Sequence, residues 1–194
     1  SKAAAFKNLG SSHTVLALRM DIMIVSANLP AYGYRQFAHF YEGEGWRSTV
    51  SFGIKRFTDN KLHMAVWDLG PSNYLADEFV PGQWYTVEIF ATQGAGSTGT
   101  LEFWVNGVQK LSLSGRNTGS VPWGKIAAGN YSGSSGDLDL VMDNVIVDDE
   151  FIPFDSNPEP GPGSGNPPTA ADDSYVTDED IPLVVATPGV LGND

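Results

Sequence analysis

The 194-residue chain contains no cysteine. Disulfide staples, thiolate catalysis and cysteine-based zinc sites are excluded together. Charge is scarce as well, with only 18% of residues being Asp, Glu, Lys or Arg. Lys and Arg are missing altogether from Asn157 to Asp194, while Glu159, Asp172, Asp173, Asp178, Glu179, Asp180 and Asp194 all fall there. Much of the formal net charge of −12 therefore sits in the last fifth of the chain. That sign disfavours nucleic acid as a partner. It favours a hard divalent cation, Ca²⁺ first, because carboxylates and carbonyls are hard oxygen ligands. No apolar run approaches the roughly 20 residues needed to cross a bilayer, so membrane insertion is not expected. No stretch combines a helical apolar period with capping residues.

What the chain does have is strand and turn chemistry. Hydrophobic residues make up 41% of it, aromatics 11%, and there are 22 glycines. Period-two alternation recurs. Leu16, Leu18, Met20, Ile22 and Ile24 share one face of a strand over 14–25. Val50, Phe52 and Ile54 alternate with Thr49, Ser51 and Lys55. Leu62, Met64 and Val66 alternate with Lys61, His63 and Trp67. Tyr85, Val87 and Ile89 oppose Thr86 and Glu88, and Leu101, Phe103 and Val105 oppose Glu102 and Trp104. Asn106-Gly107 is the strongest hairpin signal. A last strand is expected over 137–147. Many short strands with a turn about every ten residues predict an all-β antiparallel sandwich or jelly roll.

The chain divides by composition into a sandwich over 1–156, a Pro/Gly linker over 157–168, and an acidic segment over 169–194 that has the pattern of an opening strand but too little length for a core. Tyr175, Val176, Thr177, Leu183, Val184 and Val185 make that segment a candidate guest strand, with Pro182 tolerable at a sheet edge. Only about a dozen residues precede Thr14, and they alternate poorly. An unfilled sheet edge is therefore expected, open to such a guest.

Three segments in order carry a resemblance: Pro81-Gly-Gln-Trp-Tyr-Thr-Val-Glu-Ile89, Gly99-Thr-Leu-Glu-Phe-Trp-Val-Asn-Gly-Val108 and Leu138-Asp-Leu-Val-Met-Asp-Asn-Val-Ile-Val147. Over 16–149 the chain resembles the concanavalin A-like, laminin-G-like jelly rolls of bacterial surface proteins. From Pro168 to Asp194 it resembles the opening of a cadherin-like tandem repeat. That second resemblance implies Ca²⁺ ligation by Asp172, Asp173, Glu179, Asp180 and Asp194, and the two together imply an extracellular, cell-surface setting.

Two candidate sites follow. Arg47, His63, Trp67, Glu88, Glu102 and Trp104 lie opposite the apolar faces, and aromatic rings with carboxylates and Arg are the groups that bind sugar. Asp137, Asp139 and Asp143 share parity on the last strand, where a cation can relieve their repulsion. The E-x-D-x-x-E run of jelly-roll glucanases and agarases is absent. So are the Gln-x-His and Tyr-x-Lys motifs of jelly-roll alginate lyases. The expectation is accordingly a non-enzymatic adhesion module that binds a polysaccharide or cell-surface glycan. The alternative is a subunit that assembles head-to-tail with identical copies into a filament by donating its C-terminal strand.

Overall fold

The computed structural model describes residues 3–70, 73–134 and 136–154. The linker and acidic segment, with Asp172, Asp173, Glu179, Asp180 and the candidate guest strand Tyr175–Thr177 and Leu183–Val185, lie outside the described residues.

The fold is the expected antiparallel sandwich, and no helix occurs among the described residues. Among the described residues eleven strands follow in order: β1 Ala3–His13, β2 Val15–Asn28, β3 Tyr34–Glu42, β4 Ser48–Arg56, β5 Leu62–Trp67, β6 Asn73–Glu78, β7 Trp84–Thr92, β8 Gly99–Val105, β9 Val108–Arg116, β10 Trp123–Gly133 and β11 Asp137–Asp148. One sheet has the order β1-β10-β3-β4-β5-β6 and the other β11-β2-β7-β8-β9.

The alternating residues build the core. Leu18, Met20 and Ile22 from β2, Val87 and Ile89 from β7, and Phe103 from β8 face Phe40, Val50, Phe52, Met64 and Trp123 of the other sheet, all buried. Phe52 and Phe103 meet across the interior with ring centroids 4.6 Å apart. Trp123 places its indole N–H on Thr49 Oγ1 at 2.8 Å, so even this buried donor is satisfied. Asn106 and Gly107 both have positive φ, 49° and 78°. That is the mirror-image turn whose twist suits a tight hairpin between β8 and β9.

The expected unfilled edge is not there. The residues before Thr14 form β1, which pairs antiparallel with β10, while β11 pairs with β2. As an edge strand β1 packs loosely on either side, so no clean alternation marks it in the sequence.

Candidate functional site

The outer face of the six-stranded sheet carries a cleft of about 350 Å³ lined by Gln36, His39, Tyr41, Trp46, Ser48, Thr49, Ser51, Trp67 and Asp68. Strand register explains its floor. Phe6 of β1 stands opposite Ala127 of β10, Ala127 opposite His39 of β3, His39 opposite Ser51 of β4, and Ser51 opposite Trp67 of β5. One row of residues thus crosses five strands, a span of about 19 Å at the usual strand spacing. Lys125 stands opposite Tyr41 in the neighbouring row.

A bulge in β3 sets the chemistry of this floor. The β3–β4 register slips between Gln36 and Ala38, leaving Phe37 as the extra residue. Phe37 turns into the core, edge-on to Phe52 at 4.9 Å. Gln36 and His39, three apart in sequence, consequently share the cleft face. The Gln-x-His spacing that the sequence lacks is recreated in space by one inserted residue. Gly53 makes the bulge possible: a side-chain carbon there would fall 1.9 Å from the carbonyl oxygen of Arg35. The Gln36 amide N–H donates to Ser51 Oγ at 2.8 Å.

His39 is 3% exposed. Its Nδ1 lies 3.0 Å from Ser48 Oγ, and its ring stacks on Tyr41 with centroids 5.6 Å apart and planes 27° from parallel. Burial lowers the imidazole pKa to about 4, outweighing the backbone hydrogen bond at Gln36 that favours the cation. His39 is therefore neutral across the physiological range. The Lys125 ammonium lies over the Trp46 ring, 3.6 Å from its centroid, and 5.8 Å from that of Tyr41.

Acids at the ends of the cleft are engaged internally. Asp68 receives two hydrogen bonds from Arg116, at 2.6 and 3.0 Å. Burial works against ionisation of Glu42, but the N–H groups of Ser120 and Val121 and the Arg47 guanidinium outweigh it and hold its carboxyl below the ordinary range.

The residues expected to bind sugar do not form one site. Trp67 lines the cleft. Arg47 stands at its end, paired with Glu42 at 2.8 Å. His63 is farther along β5, opposite Lys55 and 2.9 Å from Asp59. Glu88, Glu102 and Trp104 are on the outer face of the other sheet, where Glu88 is the cross-strand partner of Trp104. The segment after β11 packs on Trp104 and Glu88, while Glu102 accepts from the Gln109 amide at 2.9 Å. Phe151 and Phe154 pack on the Trp104 ring at 5.1 and 6.4 Å, Arg19 donates to the Pro153 carbonyl at 3.0 Å, and Ile152 N–H donates to Glu88 Oε1 at 3.0 Å. Alternation marks which residues point outward but not from which sheet.

Asp137, Asp139 and Asp143 do not form a cluster. The register slip at Asp139/Leu140 places its extra residue, Val25, on β2, and the slip at Asp143/Ile146 lies beyond the three acids; Asp143 accepts the N–H of Asn144 at 2.8 Å. Asp21, opposite Asp143, is held by Thr86 Oγ1 at 2.5 Å and Asn144 Nδ2 at 2.7 Å. Donors thus meet the carboxylates of Asp143 and Asp21. Among the described residues no three His, Asp or Glu side chains converge to hold a metal.

No family model and no curated protein matches the chain. The cadherin-like reading of 168–194 therefore gains no support. Solved structures do match in fold. An alginate lyase, Aly36B, solved with an alginate trisaccharide, has a TM-score of 0.55 at 16% identity, covering 71% of each chain. An endo-β-1,4-glucuronan lyase from the fungus Trichoderma reesei has a TM-score of 0.50 at 15% identity, covering 75% of this chain and 73% of that one. A pentraxin from Limulus polyphemus has a TM-score of 0.53 at 13% identity, covering 78% and 72%.

The fold is a concanavalin A-like jelly roll.

The expectation of a non-enzymatic adhesion module, with its filament alternative, is corrected at this point. Polysaccharide lyases share this fold, and the β3 bulge sets Gln36 and His39 in one cleft although the sequence has no Gln-x-His run. The sequence reading missed Gln36, His39 and Tyr41 because β3 does not alternate: His39 and Tyr41 are buried on the cleft side and Ala38 and Phe40 on the core side.

Proposed function

We propose that this domain cleaves a uronate-containing polysaccharide by β-elimination in the cleft of the six-stranded sheet. The observation that carries the reading is the stacked pair His39–Tyr41 in the cleft beside Gln36, with Lys125 cross-strand from Tyr41. The fold shared with lyases of alginate and glucuronan supports it.

The chemistry asks for three things. The proton on the carbon next to the sugar carboxylate is removable only when the carboxylate's charge is offset. The Gln36 amide and the Lys125 ammonium supply a donor and a cation for this. A neutral base must then accept that proton, and His39 is neutral. Its low intrinsic basicity rises when an anionic substrate sits beside it, because the negative charge stabilises the imidazolium. The electrons of the broken C–H bond form a carbon–carbon double bond as the adjacent glycosidic C–O bond breaks. The Tyr41 hydroxyl is placed to give the departing oxygen its proton. No water is consumed, and one product carries an unsaturated sugar at its new end.

Purified protein incubated with polymannuronate, polyguluronate and polyglucuronate is expected to generate the ultraviolet absorbance of that unsaturated product on at least one of them. His39→Ala should lower the rate by about 10²–10⁴-fold with near-UV circular dichroism unchanged. The wild-type kcat/KM should fall with acid along a limb centred on about pH 4. Absence of unsaturated product from all three polymers sinks the reading.

A further inference from the structure

We propose that Trp46 is a sugar-stacking platform at the β1–β10 end of the cleft, so that a bound chain crosses the strands and is held on both sides of His39. This rests on the polysaccharide reading of the cleft and adds a binding residue to it. Trp46 lies between β3 and β4 and is 64% exposed. An exposed indole is ordinarily loose, but this one is pinned. Lys125 occupies one face at 3.6 Å. Phe6 and Tyr41 meet it nearly perpendicular, at 5.1 and 5.9 Å.

A large apolar ring kept in water yet fixed in place is preorganised. It can stack on a sugar ring without losing rotamer freedom at binding. The cation on the covered face also favours an acidic sugar on the open side. At the other end of the floor row, Trp67 and Tyr34 form a second aromatic pair, 5.8 Å between centroids. Between the two pairs lies the floor row of about 19 Å, room for a run of sugars rather than a single unit. Such a geometry holds a polymer by its middle and cuts it internally.

The test is calorimetric binding to the full chain carrying His39→Ala, which prevents turnover, with and without Trp46→Ala. The probes are oligomannuronates, oligoguluronates and oligoglucuronates from disaccharide to hexasaccharide, with cello-oligosaccharides of the same lengths as neutral controls. Trp46→Ala should weaken hexasaccharide binding about tenfold and leave disaccharide binding changed by less than about twofold. Trp46→Phe should restore most of the loss. Lys125→Met, which frees the indole, should reproduce part of it. An equal loss at every length, or none, overturns the platform while leaving the cleft reading intact. If the parent binds no probe at any length, both fall together.

Discussion

The two sheets present opposite solutions to one problem, namely what to do with polar side chains on the outside of a sandwich. The six-stranded sheet leaves its outer face open, and the cleft buries a base, His39, among Tyr41, Ser48 and Gln36. The five-stranded sheet has its outer face sealed by the segment through Phe151 and Phe154, which buries an acid, Glu88, against Trp104. Burial acts on both through the same penalty against charge, with opposite results. The imidazole falls to about 4 and the Glu88 carboxyl rises to about 7. For Glu88 burial outweighs the Ile152 N–H and the charge of Arg19, and the charge of Glu102 adds to the rise. Glu88 Oε2 and the Trp104 indole nitrogen have no hydrogen-bond partner among the described residues. Buried polar groups that ordinary packing does not reward are expected where function rewards them; at the sealed face the reward is cohesion of the last segment.

The sharpest way to break this comparison is pH. His39 binds its proton at about 4 when folded and near 6.5 when unfolded. As pH falls from 6.5 towards 4, the unfolded chain gains a proton that the folded one refuses, and stability declines by about 3 kcal/mol. Glu88 runs the other way. As pH rises from 4.5 towards 7, the unfolded chain releases a proton that the folded one keeps, and stability again declines by about 3 kcal/mol. Between 4.5 and 6.5 the two slopes oppose each other. Glu88→Gln should therefore leave a profile that climbs more steeply from pH 4 to 6.5 than wild type. His39→Gln should leave one that drops more steeply from 4.5 to 7. Urea midpoints across that range check it, and parallel profiles for all three proteins would refute it.

A smaller effect tests the seal itself. Phe151 is half-buried and meets Phe90 and Trp104 at 5.9 and 5.1 Å. Phe151→Ala should cost about 2 kcal/mol, below the full-core range because the ring is not fully enclosed. Water should then reach Glu88, so the excess drop between pH 4.5 and 7 should shrink in the same variant. A loss of stability with the Glu88 slope intact would separate packing from desolvation. Cleavage in the open cleft should not change.

How much was legible in advance follows from the same contrast. Strands with one wet face and one dry face announce themselves: β2, β4, β5, β7 and β8 each alternate, and each puts its apolar residues in the core. The sequence Phe37-Ala38-His39-Phe40-Tyr41 does not alternate, because the core buries one side of β3 and the cleft the other. The residues best placed for chemistry sit where the period-two signal fails. A bulge compounds the loss by setting Gln36 and His39 at a spacing that no simple motif contains. Trp67 and Trp104 show the complementary limit. Both alternate outward, and only the strand order decides that one lines the cleft and the other is roofed by Phe151.

The smallest expected effect concerns Arg47, which the sequence marks as a ligand contact and the structure pairs with Glu42. The guanidinium side chain is 61% exposed and the carboxylate side chain 7%. Solvent screens the cation, so the pair contributes little, about 0.5 kcal/mol. Glu42 keeps its hydrogen bonds from Ser120 and Val121 when Arg47 is gone, so its charge is not stranded. Arg47→Ala should thus lower the urea midpoint only slightly and leave kcat/KM within about twofold of wild type. Glu42→Ala is the sharper partner, because it removes the acceptor for two backbone donors as well and should cost about 2 kcal/mol. If Arg47→Ala instead raises KM severalfold with kcat unchanged, the guanidinium contacts the bound chain, and the open face would then reach past Glu42 to include the end of the cleft.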